Sequence, residues 1–322
     1  MMPILYTTKD LEIVTPPTAE KEGVGIFTYT NDYTVFFFGR MPDQIPGKGE
    51  ALARMAAFNF KMLERVGVPT HFRRFIAPNR IEFDLARIVD PAVEELAPGA
   101  VNYLVPLQVL FRNELPQGSS VHRRLVAGTL APADLGLSEI PAVGERLKRP
   151  IIEYATMLEE PKRFIDAPTA QRIAGLRDDQ FATMREITVK VNEVISSHAA
   201  ELGVDHSDGN FEYVVSGDGH IVLADSPGTP DGSRFLFDGV HCGKQVIRNW
   251  YSDQGLEPPV KKWVADGVPR SQWTNPKSLP PDFIPVMTDL YRALSEAWIG
   301  DRIWNAPNLP TAVQAVRRLA DR

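Results

Sequence analysis

The sequence predicts an α+β fold with an antiparallel sheet near its N-terminus, and three features carry that reading. Two β-rich runs, residues 24–30 and 33–38, flank Asn31-Asp32 and are expected to pair as a hairpin. Two segments, about 50–66 and 179–202, place apolar residues at spacings of three and four, as amphipathic helices do. Two further apolar runs flank Asp218-Gly219. Asp-Gly is a strong hairpin signal, because a type I′ turn needs φ > 0 at both central residues.

That last hairpin organises the rest of the chain. With a two-residue loop at Asp218-Gly219, Glu212 falls directly opposite Asp225. Cross-strand partners share a face, with Cβ atoms roughly 4.5–5.5 Å apart, so the two carboxylates would repel unless a cation sits between them. Mg²⁺ suits the position, being commonly held by one or two carboxylates plus substrate phosphates. A solvated hairpin with a small electrostatic cost is the other reading of the same register.

At 322 residues the chain can form one large domain or two smaller ones. Its 43% hydrophobic and 24% charged content is ordinary for a globular protein. A net charge of −6 and a pI near 5.6 argue against nucleic acid as the main partner, while leaving room for a local basic pocket. The one cysteine, Cys242, can form no internal disulfide, which fits a reducing cytoplasm. Residues 1–6 show no basic region followed by a long apolar core, so no signal peptide is expected. The longest mostly apolar stretch, Val101 to Phe111, is too short for a bilayer and contains Asn102, Pro106 and Gln108, so no membrane partner is expected.

Pro46-Gly47-Lys48-Gly49 opens the first helix, whose buried stripe is Leu52, Met55, Ala56, Phe60 and Leu63, with Gly67 as a stop. A Gly-rich turn before a helix can hold an anion, with Lys48 adding charge, though most such turns are only turns. Val101 to Phe111 reads as one or two buried strands, or as a strand and a crossing between two lobes. Arg112 at its end, beside Gly118-Ser119, suits bidentate binding of phosphate or carboxylate; a surface loop of solvated arginines is the plainer alternative. The helix at 179–202 shows Met184, Ile187, Val191, Val194, Ile195 and His198 on one face, with His198 as an edge residue. Another helix is expected from about Pro281 to Ile299. The six histidines show no metal-ligand spacing, and the adjacency of His241 and Cys242 does not define a catalytic thiol. No nucleophile elbow, Walker A loop or dinucleotide fingerprint is present.

Several short segments in one order resemble the SAICAR synthetase family. They are Pro46-Gly47-Lys48-Gly49; Gly67-Val68-Pro69-Thr70-His71-Phe72; Val105 to Asn113 with Gly118-Ser119; Asp208-x-Asn210-x-Glu212; Asp225 with Thr229 to Phe235; and Lys244-Gln245-x-x-Arg248-Asn249-Trp250. The resemblance covers most of residues 5 to 250. It implies a two-lobed fold related to kinases and ATP-grasp enzymes: an antiparallel-sheet lobe over about 1–104, a larger α+β lobe over 105–322, and ATP between them. It implies an ATP- and Mg²⁺-dependent ligase joining the carboxylate of CAIR, or a related heterocyclic carboxylate, to the amine of L-aspartate through an acyl phosphate. Carried over by position, Glu212 and Asp225 would hold Mg²⁺, and Lys9 would meet the nucleotide. Asp208, Asp231 and Lys48 would serve the reacting groups. Arg112, Ser119, Ser233, Arg234, Lys244 and Arg248 would bind the ribotide phosphate or a substrate carboxylate.

The chain also departs from the family pattern. Leu11 stands for the second lysine of the nucleotide loop, Asn210 for the lysine of Asp-x-Lys-x-Glu, and Gln108 for a glutamate. Ser226 stands for a glutamate, with Pro227-Gly228 lengthening that loop; Met157 stands for a lysine, and Gly243 for an aspartate. These changes leave open a variant in specialised metabolism, a phosphotransferase on the same scaffold, and a non-catalytic nucleotide-binding homologue. A homo-oligomer is also left open.

Overall fold

A computed structural model describes residues 8–116, 119–159 and 162–320. The first part is a four-stranded antiparallel sheet in the order β1-β2-β6-β5, built from β1 (Lys9–Thr15), β2 (Gly23–Tyr29), β5 (Phe72–Ile76) and β6 (Arg80–Leu85). Helix α1 (Lys48–Arg65) packs against β2, β5 and β6. The expected hairpin between residues 24–30 and 33–38 does not form. Both edges of β2 are taken by β1 and β6, and the chain turns away after Tyr29 to make a small separate ribbon, β3 (Asp32–Thr34) with β4 (Arg40–Gln44). Phe36 at φ 52 ends the extended run, and Tyr33 and Val35 are buried in the core instead.

The second sheet runs β10-β9-β8-β11-β13-β14. Its strands are β8 (Leu107–Glu114), β9 (Arg146–Thr156), β10 (Phe164–Ile165), β11 (Val204–Val215), β13 (Ser233–Phe237) and β14 (Val240–His241). The short β7 (Tyr103–Leu104) and β12 (Ile221–Ala224) also pair with β11. Helices α2 (Ser120–Val126) and α3 (Ala167–Ile173) flank it, and α4 (Asp178–Glu201) packs on β11. The last third holds α5 (Lys244–Asp253), α6 (Glu257–Ala265), α7 (Phe283–Ile299) and α8 (Leu309–Ala320). As expected, His198 lies at the edge of α4, its Nε2 2.8 Å from the Trp298 carbonyl oxygen.

The hairpin at 212–224 forms, but one residue out of the expected register. Glu212 pairs with Ala224, and Val215 with Ile221. The turn is longer than two residues: Ser216 N–H donates to the His220 carbonyl at 2.9 Å, and Gly219 takes the left-handed conformation at φ 83. A three-residue loop with one glycine in that conformation is the next most common hairpin connection. The Ser216 hydroxyl favours it by accepting from His220 N–H at 3.0 Å.

The loop after β12 is fastened from below. The side-chain amide of Asn59, fully buried on α1, donates to the carbonyls of Pro227 at 2.9 Å and Gly228 at 3.1 Å. Its Oδ1 accepts from the Trp298 indole N–H at 2.7 Å. One side chain thus ties α1, α7 and the lengthened loop together. Asn59→Ala strands two carbonyls and an indole N–H in the interior, so we expect a loss of about 2–3 kcal/mol in denaturant unfolding. Trp298→Phe removes only one of these bonds and is expected to cost less.

Candidate active site

Strand β11 is interior to its sheet and has two faces of opposite chemistry. Phe211 and Tyr213 point into the core with Val109 of β8. The alternate residues Asp208, Asn210 and Glu212, with Gln108, Leu110 and Arg112 of β8, line a cleft of about 980 Å³. Thr8, Lys9 and Tyr29 of the first sheet line the same cleft. The β8–β11 register sets Arg112 opposite Asp208 and Leu110 opposite Asn210, and its continuation sets Gln108 opposite Glu212.

One end of the cleft is acidic. Asp225 lies just past the end of β12, at φ 67. That left-handed residue offsets the register difference, because Asp225 still lines the cleft beside Glu212. Burial and then the Asp225 charge push the Glu212 carboxyl up to about 7. Gln108 hydrogen-bonds Glu212, and the Lys9 ammonium pairs with Asp225. Lys9 also donates to the Ser226 hydroxyl at 3.1 Å and lies 4.9 Å from the Phe27 ring centroid. Burial works against the Lys9 charge, but Asp225 and Tyr29 lead the effects that leave its proton more tightly held than usual. Leu11, on the same face of β1, packs against the core. No cluster of three or more potential metal ligands occurs among the described residues. Two carboxylates match the sparse protein contribution typical of Mg²⁺ completed by phosphate oxygens, and a cation there would favour the charged form of Glu212, which burial and then Asp225 disfavour.

The middle of the cleft is a charge ladder. Arg112 Nε donates to Glu153 at 2.7 Å, and Arg112 also reaches Asp208 at 3.5 Å. Arg234 closes on Asp208 from β13, and Arg124 on Glu153 from α2. The expected binding cations Arg112 and Arg234 are therefore already matched to carboxylates, which holds their planes in place. Ser119 caps α2, its hydroxyl accepting from His122 N–H at 3.4 Å, and borders the cleft.

The other end is basic. Lys244 and Arg248 stand one turn apart on α5, both lining the cleft. Burial, then Arg248, lower the Lys244 ammonium to about 7. Arg248 Nε and the Ser233 hydroxyl are buried without a hydrogen-bond partner, a deficit that an anion or its bound water would satisfy. Glycine at 243 has a steric reason: a Cβ there would stand 2.6 Å from the Pro230 carbonyl oxygen.

Lys48 does not line the cleft, which corrects its expected place among the reacting groups. It is fully buried behind Asp231, 2.7 Å from that carboxylate and 3.0 Å from the Asp32 carbonyl. The Tyr291 hydroxyl donates to the other Asp231 oxygen at 2.8 Å. Burial would raise the Asp231 carboxyl, but Lys48 and Lys244 more than offset it, and the group is lowered. The Gly47 turn is closed as well, because a Cβ there would lie 2.6 Å from the Arg292 guanidinium. Cys242 fits the inert reading: burial pushes its thiol up to about 12. Sequence reasoning missed Tyr291 and Lys162 as site residues, and read Ser226 only as a departure from the family pattern. Tyr291 and Lys162 belong to no motif and reach the site through long-range packing.

The fold is similar to that of solved SAICAR synthases. A structure from Saccharomyces cerevisiae complexed with SAICAR aligns with a TM-score of 0.68 at 19% identity, covering 94% of this chain and 96% of that one. The Pyrococcus horikoshii SAICAR synthetase gives 0.62 at 21%, covering 92% and 99%. A candidate phosphoribosylaminoimidazole-succinocarboxamide synthase of Archaeoglobus fulgidus is 34% identical across 98% of this chain and 99% of its own length. The synthase of Thermoplasma acidophilum is 29% identical across 86% and 93%. The family profile, SAICAR synthetase, matches residues 18–262. The chain belongs to the SAICAR synthetase family, whose members are ATP-dependent ligases that form a carbon–nitrogen bond.

Two measurements test this geometry. Native Glu212 keeps a proton that the unfolded chain has released between pH 4.5 and about 7, so its contribution to stability falls as pH rises through that window. Glu212→Gln is expected to flatten that part of the stability profile in urea titrations. Lys48→Ala leaves Asp231 buried without its cation and is expected to cost about 3–5 kcal/mol in the same assay.

Proposed function

We propose that the protein joins the carboxylate of CAIR, or of a closely related heterocycle, to the amine of L-aspartate or a similar amino acid, converting ATP to ADP and phosphate. The observation that carries this reading is the polarity of the cleft. Two adjacent carboxylates, Glu212 and Asp225, lie at one end, and Lys244 and Arg248 at the other, beyond the Asp208–Arg234 pair. The acidic end suits a magnesium–nucleotide and the basic end suits an anionic substrate. Residues 1–104 would chiefly hold the nucleotide and 105–322 the metal and substrate.

Glu212 and Asp225 would hold Mg²⁺, which when bound supplies charge neutralisation for phosphate oxygens. Lys9 would add its positive charge on the nucleotide side. Arg112, Ser119, Ser233, Arg234, Lys244 and Arg248 would seat the ribotide phosphate and the substrate carboxylates, with Asp208 fixing the orientation of the two arginines. Asp231, held by Lys48 and Tyr291, would stand beside the reacting groups. The substrate carboxylate oxygen attacks the γ-phosphorus and ADP leaves. The amine nitrogen then attacks the acyl carbon, phosphate leaves, and the nitrogen loses a proton. Cations pre-arranged around the acyl phosphate favour both steps by stabilising charge as it develops.

The test is ADP release with CAIR plus L-aspartate, followed by a panel of azole carboxylates and amines. Amine-dependent ADP formation with an amide product is expected. Glu212→Gln or Asp225→Asn should lower kcat by about 10²–10³-fold. Absence of amine-dependent turnover with every pair overturns the reading.

A further inference from the structure

Between the acidic pair and the charge ladder, the floor formed by β8 and β11 carries no charged side chain. Asn210 lies between Asp208 and Glu212 on β11, and its cross-strand neighbour on β8 is Leu110. A group passing from one end to the other would cross this neutral stretch.

A cation reaches it from the side. Strands β9 and β10 pair Tyr154 with Ile165 and Ala155 with Phe164. The ladder continues one step, since Thr156 N–H donates to the Arg163 carbonyl at 3.0 Å and Arg163 N–H to the Thr156 hydroxyl at 3.0 Å. Met157 and Lys162 come next, just outside the paired strands, and both line the cleft. On β9, Glu153 anchors the charge ladder through Arg112. Position 157 is where the family resemblance implies a lysine, and here a cationic side chain lies in the cleft two residues before β10 instead.

Lys162 lines the same cleft as Glu212 and Lys244, and its charge is among the lesser effects that disfavour a proton on Lys244, after burial and Arg248.

We propose that Lys162 contacts an anionic oxygen of the reacting groups, the carboxylate being activated or the phosphate passing onto it, and so supplies from the segment before β10 the charge that the family resemblance implies at position 157. This rests on the ligase reading above, and the binding measurements below separate the two. Lys162 is exposed, so substitutions there should not disturb folding.

Wild-type protein, K162M, K162R and the relocation variant M157K/K162M are compared by calorimetric titration with magnesium–ATP alone and with CAIR alone, and by steady-state ADP formation. K162M is expected to weaken one of the two ligands, or to lower kcat/KM, by about 10–100-fold, the range for losing one charged hydrogen bond. K162R should retain most of the function, and M157K/K162M should recover at least part of it, which a merely structural role would not produce. Loss confined to ATP assigns the contact to the phosphate, and loss confined to CAIR to the carboxylate. K162M that matches wild type in all three measurements overturns the inference. Wild-type protein that binds both ligands but forms no ADP overturns the ligase reading, while weakened binding by K162M still upholds the contact. Wild-type protein that binds neither ligand overturns both.

Discussion

The cleft depends on β11 having one face that must stay dry and one that must stay charged. Phe211 and Tyr213 anchor the strand in the core, and the pleat then obliges Asp208, Asn210 and Glu212 to face the other way. Charges set so close to a core are tolerated only when matched. Buried ions lose hydration worth several kcal/mol each unless partners restore it. The arrangement of Arg124, Glu153, Arg112, Asp208 and Arg234 answers that requirement across neighbouring elements. The two places where matching is incomplete, Glu212 and the Lys244–Arg248 pair, are where a ligand of opposite charge has most to gain.

Helix α7 has a part in this balance, although it lies beyond the segment that the family profile matches. Its Tyr291 holds Asp231, its Trp298 holds Asn59, and its Ser295 hydroxyl donates to the Ala51 carbonyl at 3.2 Å. The loop from Asp225 to Asp231 is thereby fixed from α1 and α7 at once. A loop that carries functional groups gains precision from such bracing, because its own backbone offers few internal hydrogen bonds.

Several departures from the family pattern have local physical partners. Gly243 leaves room for the Pro230 carbonyl on the lengthened loop, where any side chain would collide. Ser226 is small enough to share Lys9 and Tyr29 as hydrogen-bond partners, at 3.1 and 2.7 Å. Gln108 can donate to Glu212 where another carboxylate would add repulsion. Removing negative charge at 108 and 226 thus accompanies the loss of the lysines expected at 11 and 210, so the local charge balance shifts less than either set of changes alone would suggest.

The sequence by itself determined the α+β class, the main helices, the alternation that brings Asp208 and Glu212 to one face, and the order of motifs that marks the family. These are local or periodic properties, written in residues a few positions apart. It did not determine that β2 would pair with β6 rather than with the run after Asn31-Asp32, because that choice depends on competition between distant partners. It misjudged the turn at Ser216–His220 by one residue, yet Asp225, left-handed just past β12, still lines the cleft with Glu212. Tertiary structure also decided that Lys48 would pair with Asp231 and that Lys162 would line the cleft together with Met157. A side chain's charge is legible in the sequence, but its partner is chosen by packing, since the energy of an ion pair depends on distance and burial.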